Sequence, residues 1–414
     1  MTNEVLQKIA SDEQNISSSN GLEPFPKLRF LEFKNTYKKI KLNKAVERIQ
    51  RKDPTSEAPV MMLSAASGFI MQSEKYSREN AGQSLKKYIL LKKGELAYNH
   101  GASKYKPFGC CFELKEEEAR IPYVYHCFAV KENNDKSYIA RLLNNQKIDQ
   151  QLKRLISSSV RMDGLLNISY EEYTGIDLYL PSLPEQQKIA DFLSLVDQRI
   201  EKQRQLVESL KKYKRGLFLK LYNDSDKSIM LFKNIYKVAS EGGTPSTLDT
   251  ENYKNGKLPF IKIADLNQHY LTSAKYFITE KGLKKSSAWL VPENSIIYSN
   301  GATIGACSIN KIPVTTKQGI LGIVPKSNFS VEFLYFFFTS SLFKEKIRAI
   351  TTKGTMDCAY LKDINDIKIS IPDFTVQQKI SKIMVDFENL IEYTEFSLMH
   401  LHNIKKGLLQ QMFI

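Results

Sequence analysis

The sequence has no Pro-Pro dipeptide, no Cys-x-x-Cys pair and no glycine loop ending in Gly-Lys-Ser/Thr. The first absence removes the Asn/Asp-Pro-Pro-aromatic motif that holds the target amine in an amino-methyltransferase. The third removes a P-loop, because Gly242-Gly243-Thr244-Pro245-Ser246 has the glycines without the ending and reads as a turn. Cysteine is scarce: Cys110, Cys111, Cys127, Cys307 and Cys358 are odd in number and lack zinc spacing. They read as reduced thiols of a cytoplasmic protein, and Cys110, Cys111, His126 and Cys127 as buried structural residues rather than metal ligands. Long apolar runs are missing too. The most apolar stretch, residues 331–338, is far shorter than the ~20 residues a membrane span needs. Residues 1–25 are polar, as a flexible tail and not a secretory signal would be.

What is abundant is positive charge. Against 45 Asp and Glu stand 60 Lys and Arg, a net charge of +15, which favours a polyanionic partner such as nucleic acid. The chain also repeats itself. Gln186-Gln187-Lys188-Ile189 returns as Gln377-Gln378-Lys379-Ile380, a shift of 191 positions that also carries Pro181 onto Pro372 and Gly216-Leu217 onto Gly407-Leu408. Ile189, Leu193, Val196, Ile200, Val207, Leu210, Leu217 and Leu221 follow alternating four- and three-residue steps, with Gln203 and Lys214 as polar exceptions. That is a coiled-coil seam. The second copy keeps the seam and its exceptions, Thr394 and Lys405, at the same places. Two unrelated amphipathic helices would share a seam but not its defects, so the copies point to common descent. The pattern predicts two long helices, about 185–222 and 376–413, each burying its seam against the other in an antiparallel pair.

Each helix follows a block rich in aromatic and β-branched residues and broken by Gly, Pro and Asn, the texture of short strands with a few helices. A weaker echo links the blocks, since Tyr98 and Gly101 lie over Tyr298 and Gly301. The reading is an α+β protein of two α/β domains joined by two long helices, with a pseudo-twofold internal repeat. Its boundaries are 26–180, 181–224, 225–371 and 372–414. Basic and amide residues in turn-rich places are the DNA-binding candidates: Arg78, Lys104, Lys106 and Arg161 in the first block, and Lys262, Asn300, Thr303, Lys317, Gln318 and Lys353 in the second. Lysine suits phosphates, whereas Arg, Asn and Gln can make paired hydrogen bonds to base edges. Gln186, Gln187, Lys188 and their copies Gln377, Gln378 and Lys379 fall outside the seam in the first helical turn. They read as exposed partner-binding surfaces.

No catalytic constellation emerges. Glu113-Leu114-Lys115 and Asp366-Ile367-Lys368 have the acid-x-Lys spacing of a nuclease, but no Pro-Asp precedes either. His400 and His402 do not share a helix face. The Pro-x-x-x-Glu-Gln-Gln segment 180–203 with its degenerate copy 371–394 resembles the paired spacer regions of the specificity subunit of type I restriction-modification enzymes. Residues 26–42, "GGTPS" near 242, "LPFIKIADL" at 258–266 and "SNGATIG" at 299–305 are similar to that family's recognition-domain motifs. The resemblance implies a non-catalytic, cytoplasmic subunit that reads a bipartite site on double-stranded DNA, with the helices as a ruler. It implies two modification subunits that bring S-adenosylmethionine, and two restriction subunits that bring ATP and Mg. No cofactor or metal is expected in this chain. A specificity subunit serving only a methyltransferase, and a coiled-coil adaptor without DNA specificity, are the competing readings. Thr375-Val376, standing where the first copy has Pro184-Glu185, departs from the pattern.

Overall fold

A computed structural model of the chain describes residues 25–75, 82–101, 103, 106–156, 166–266, 268–352 and 357–414. All of the expected N-terminal tail except Phe25 lies outside them. The chain divides into two compact units, residues 1–201 with 399–414, and residues 202–398. Both predicted long helices are present, at Leu183–Asn223 and Phe374–Gln411, and each contributes residues to both units. They are called the first and second spacer helices below.

The first unit is built around a four-stranded antiparallel sheet in the order Val46–Arg48, His126–Val130, Leu96–Asn99 and Cys110–Glu113. Its alternation is legible in the residues: Leu96 and Tyr98 join Phe128 in one core, while Ala97 and Cys110 join Cys127 in another on the opposite face. The second unit has a five-stranded sheet in the order Tyr236–Glu241, Ile320–Pro325, Ile296–Ser299, Cys307–Asn310 and Tyr270–Leu271. The apolar stretch 331–338 forms the helix Val331–Thr339, whose phenylalanines fill the core beneath that sheet.

The internal repeat extends into the domains. Lys38–Lys41 pairs antiparallel with Asp177–Leu180, the strand that leads into the first spacer helix. Lys227–Leu231 pairs in the same way with Lys368–Pro372, which leads into the second. Tyr98 faces Cys111 across one hairpin, and Tyr298 faces Cys307 across the other. Both hairpins are entered through a left-handed residue: Gly94 at φ +85° and Asn294 at φ +56°. Only glycine, and less readily asparagine, adopts that conformation at low cost, so the match is a conserved turn written with two residue types.

None of the seam positions is exposed. In the second unit the helices run antiparallel, with the Lys214 ammonium on Glu388, Lys211 on Glu395 at 2.7 Å and Tyr213 stacked on Phe387. The buried polar exceptions meet there, where the Gln203 amide donates to the Thr394 carbonyl at 3.2 Å. In the first unit Lys405 pairs with Asp197 at 2.6 Å. Shifting Lys214 by 191 gives Lys405, and shifting Asp197 by 191 gives Glu388, so the two ion pairs are copies of each other.

Candidate nucleic-acid interface

Three segments singled out in the second block converge on one edge of the second unit. The Gly242 N–H donates to the Ile320 carbonyl at 2.9 Å and Gly243 N–H to Thr316 at 3.0 Å. Lys317 N–H reaches the Ile261 carbonyl, Asn300 N–H reaches Gly319, and the Glu241 carboxylate accepts from Gly319 N–H. Both glycines are required by closeness. A Cβ on Gly242 would lie 2.1 Å from the Thr316 carbonyl oxygen, and one on Gly243 2.3 Å from the Ser287 hydroxyl. Segment 242–246 is therefore not a free turn but a strand exit pressed against its neighbours.

Lys262, Asn300, Thr303, Lys317 and Gln318 all belong to this edge. Thr303, Lys317 and Gln318 are exposed and available to a ligand. Lys262 is half-buried, with its ammonium 3.3 Å from the centre of the Tyr276 ring, a cation–π contact. Asn300 is corrected as a base reader because its side chain is fully buried. Its Nδ2 donates to the Ala359 carbonyl at 3.2 Å, and its own carbonyl accepts from Ala359 N–H at 2.9 Å.

The first unit repeats this clamp. The His100 carbonyl accepts from Leu166 N–H at 2.9 Å, and the ring Nδ1 lies 2.9 Å from the Leu166 carbonyl. A carbonyl can only accept, so Nδ1 carries the proton. His100 and Asn300, one position before the matched glycines, thus do the same work with different side chains. They tie the hairpin end to residues that follow the segments 157–165 and 353–356, which lie outside the described residues. Arg78, Lys104, Arg161 and Lys353 lie outside them as well. Lys106 is described and is also corrected: its ammonium is bound to the Asn144 carbonyl at 2.9 Å, just beyond the C-terminal end of the helix Lys136–Leu142. The negative end of that helix holds the charge inward.

The starts of the spacer helices overturn part of the partner-surface expectation. Gln186 and Gln377 are each 1% exposed. Gln186 donates to the Pro181 carbonyl at 3.0 Å and accepts from Asp135 N–H at 3.0 Å, and Gln377 donates to Pro372 at 2.8 Å and accepts from Ser330 N–H at 2.9 Å. Asp135 and Ser330 are the N-caps of the domain helices Lys136–Leu142 and Val331–Thr339. The repeated first glutamine is therefore an internal bolt between spacer and domain. Gln187, Lys188, Gln378 and Lys379 remain exposed. Lys188 also meets the Glu32 carboxylate and the Phe30 ring.

Sequence reasoning missed Glu185. It is 1% exposed and receives a two-pronged bond from Arg29, both contacts at 2.7 Å, with the Tyr37 hydroxyl at 3.1 Å. This carboxylate holds segment 26–37 against the first spacer helix. The departure at Val376, its counterpart in the second copy, was the available signal. Among the described residues no group of three His, Cys, Asp or Glu side chains is arranged to hold a metal ion. No described helix is long and apolar enough to cross a membrane.

A cleft recurs with the repeat. In the first unit about 670 Å³ is lined by Lys106, Lys153, Asp149, Lys405 and Lys406 among others. In the second, about 570 Å³ is lined by Lys211, Lys214, Arg215 and the glutamates Glu388, Glu392 and Glu395. Lys405 and Lys406 of the first cleft correspond to Lys214 and Arg215 of the second, but the first has Asp149 as its one lining carboxylate where the second has three glutamates.

Comparison with known proteins agrees with this architecture. Two segments, 72–212 and 226–399, match the model of the type I restriction modification DNA specificity domain. The type I restriction enzyme MjaIX specificity subunit of Methanocaldococcus jannaschii is 33% identical over 170 residues, 40% of this chain and 39% of that one. The EcoR124I/EcoR124II specificity subunit of Escherichia coli is 29% identical over 153 residues, 36% and 38% of the two chains. The matches thus span under half the length of these relatives. In fold, the type I restriction-modification S subunit from M. genitalium superposes with a TM-score of 0.51 at 16% identity, covering 94% of this chain and 99% of that one. A chain from a type I restriction-modification system solved for its complex assembly and conformational transition superposes at 0.58 and 13% identity, covering 92% and 98%. With both of its blocks matched, this chain belongs to the type I restriction-modification DNA specificity family.

Proposed function

We propose that this chain is the DNA-recognition subunit of a type I restriction-modification complex, and that it carries no chemistry of its own. One observation supports the reading above the others. The same hairpin clamp, at His100 and at Asn300, is built into two domains whose loop surfaces differ, and each domain is bolted to its own copy of one helix. That is the design expected of two independent readers of a split site. Exposed Lys317, Gln318 and Thr303 on the converged edge supply phosphate and base-edge contacts to double-stranded DNA. Gln187 and Lys188, with Gln378 and Lys379, offer one docking surface per modification subunit. The modification subunits bring S-adenosylmethionine, and two restriction subunits bring ATP and Mg.

Mapping methylated adenines in cells that express this chain with its modification partner tests the reading. The expected outcome is one bipartite motif, and substitution of residues 37–180 by another family member's first block changes one half of it alone. Methylation that is absent, or independent of this chain's sequence, would leave only the adaptor reading.

A further inference from the structure

Leu248 is the most exposed large apolar side chain among the described residues, at 95%. It stands at a turn tip in a loop that leaves the converged edge at Gly243, and the loop is held on both sides of it. Before the tip, the Tyr253 hydroxyl donates to the Pro245 carbonyl at 2.5 Å and the Asn252 amide to Ser246 at 3.0 Å. After it, Asp249 caps the turn Thr250–Asn252 and lies 3.6 Å and 3.4 Å from the ammonium groups of Lys281 and Lys285. A fully solvated leucine contributes nothing to the fold. Here its backbone is nonetheless pre-ordered, and the ammonium groups of Lys281 and Lys285 converge on the carboxylate of its neighbour Asp249.

We infer that Leu248 reads an apolar feature of the DNA half-site held by the second unit, the 5-methyl group of a thymine in the major groove. The inference rests on the DNA-recognition reading above. Base edges in the major groove present donors, acceptors and a single apolar group, the thymine methyl, so an apolar reader has one partner there. Wedging between base pairs, the other use of an exposed leucine on DNA, would have to unstack a step and kink the duplex. Contact at the groove floor, with Lys281 and Lys285 near the phosphates, needs no such distortion.

The experiment uses the full chain in complex with its modification subunits and a duplex bearing the mapped site, each thymine replaced in turn by deoxyuridine. At one position in the second unit's half-site, loss of the methyl should weaken wild-type binding about fourfold, the worth of one buried methyl. Leu248→Ala should bind more weakly and show no further loss at that position, while Leu248→Met keeps most of the effect. If no thymine couples to residue 248, the inference is overturned while site-specific binding still stands. If the wild-type complex binds the site no better than random DNA, the recognition reading falls and the inference falls with it.

Discussion

Two histidines, the buried His269 and the half-buried His126, make stability depend on pH. Burial, first among the causes, pushes both His126 and His269 down to about 4, with His100 and Arg48 near the former and Lys214 and Lys311 near the latter. His126 Nε2 lies 3.1 Å from the Ile168 carbonyl, and His269 is stacked between Tyr270 and Tyr335. Their folded values lie below the ordinary 6.5, so the unfolded chain binds more protons between pH 6.5 and 4. Stability is then full above pH 6.5 and falls as the pH drops through that window. Thermal unfolding between pH 7 and 5 should show a loss of about 1 to 2 kcal/mol per histidine. Replacing either with Gln should flatten the profile. At this scale the sequence was least legible. His126 could be read as a core residue from its apolar run, but His269 and Asn300 stand among polar residues that resemble open loops. Their burial depends on partners distant in sequence, Tyr335 and Ala359, that no local pattern reveals.

The spacer helices show the opposite. A 3.5-residue period with repeated defects is a long-range signal carried in local spacing, so both helices could be read directly, and its polar exceptions Gln203 and Thr394 meet in the second unit. What the period could not say is which side of the first turn meets the domain. Gln186 and Gln377 lie off the seam, where the period predicts exposure, whereas a second packing surface, the N-cap of a domain helix, covers them. Replacing either with Ala leaves a buried carbonyl and a buried N–H without partners and should cost about 1 to 3 kcal/mol. Gln187→Ala and Gln378→Ala should be neutral. Chemical denaturation of the variants, with a probe in each unit, checks both expectations, and an unchanged midpoint for Gln186→Ala and Gln377→Ala would show the bolts to be idle.

For the whole molecule, the repeat predicts the stoichiometry of assembly. With the buried glutamines left intact, changing Gln187 and Lys188 to Ala should remove one modification subunit, and adding the same change at Gln378 and Lys379 should remove the other. Native mass spectrometry would show complexes falling from two modification subunits to one and then to none. Two-to-one assembly by the fourfold variant would move the docking surface elsewhere, with the paired clefts as the next place to look. The two surfaces are not identical, since Lys188 is already engaged by Glu32 and Phe30 while segment 26–37 is fastened through Glu185.

The division of the helices also sets an order of events as the chain is made. The second unit draws on an unbroken stretch, 202–398, and needs nothing synthesised later. The first unit, although begun earlier, has Met412 and Phe413 in its core, with Phe413 5.1 Å from Tyr138, ring centre to ring centre. On the ribosome its interior stays open until the last of these residues emerges, so the half that is translated first is the half that closes last.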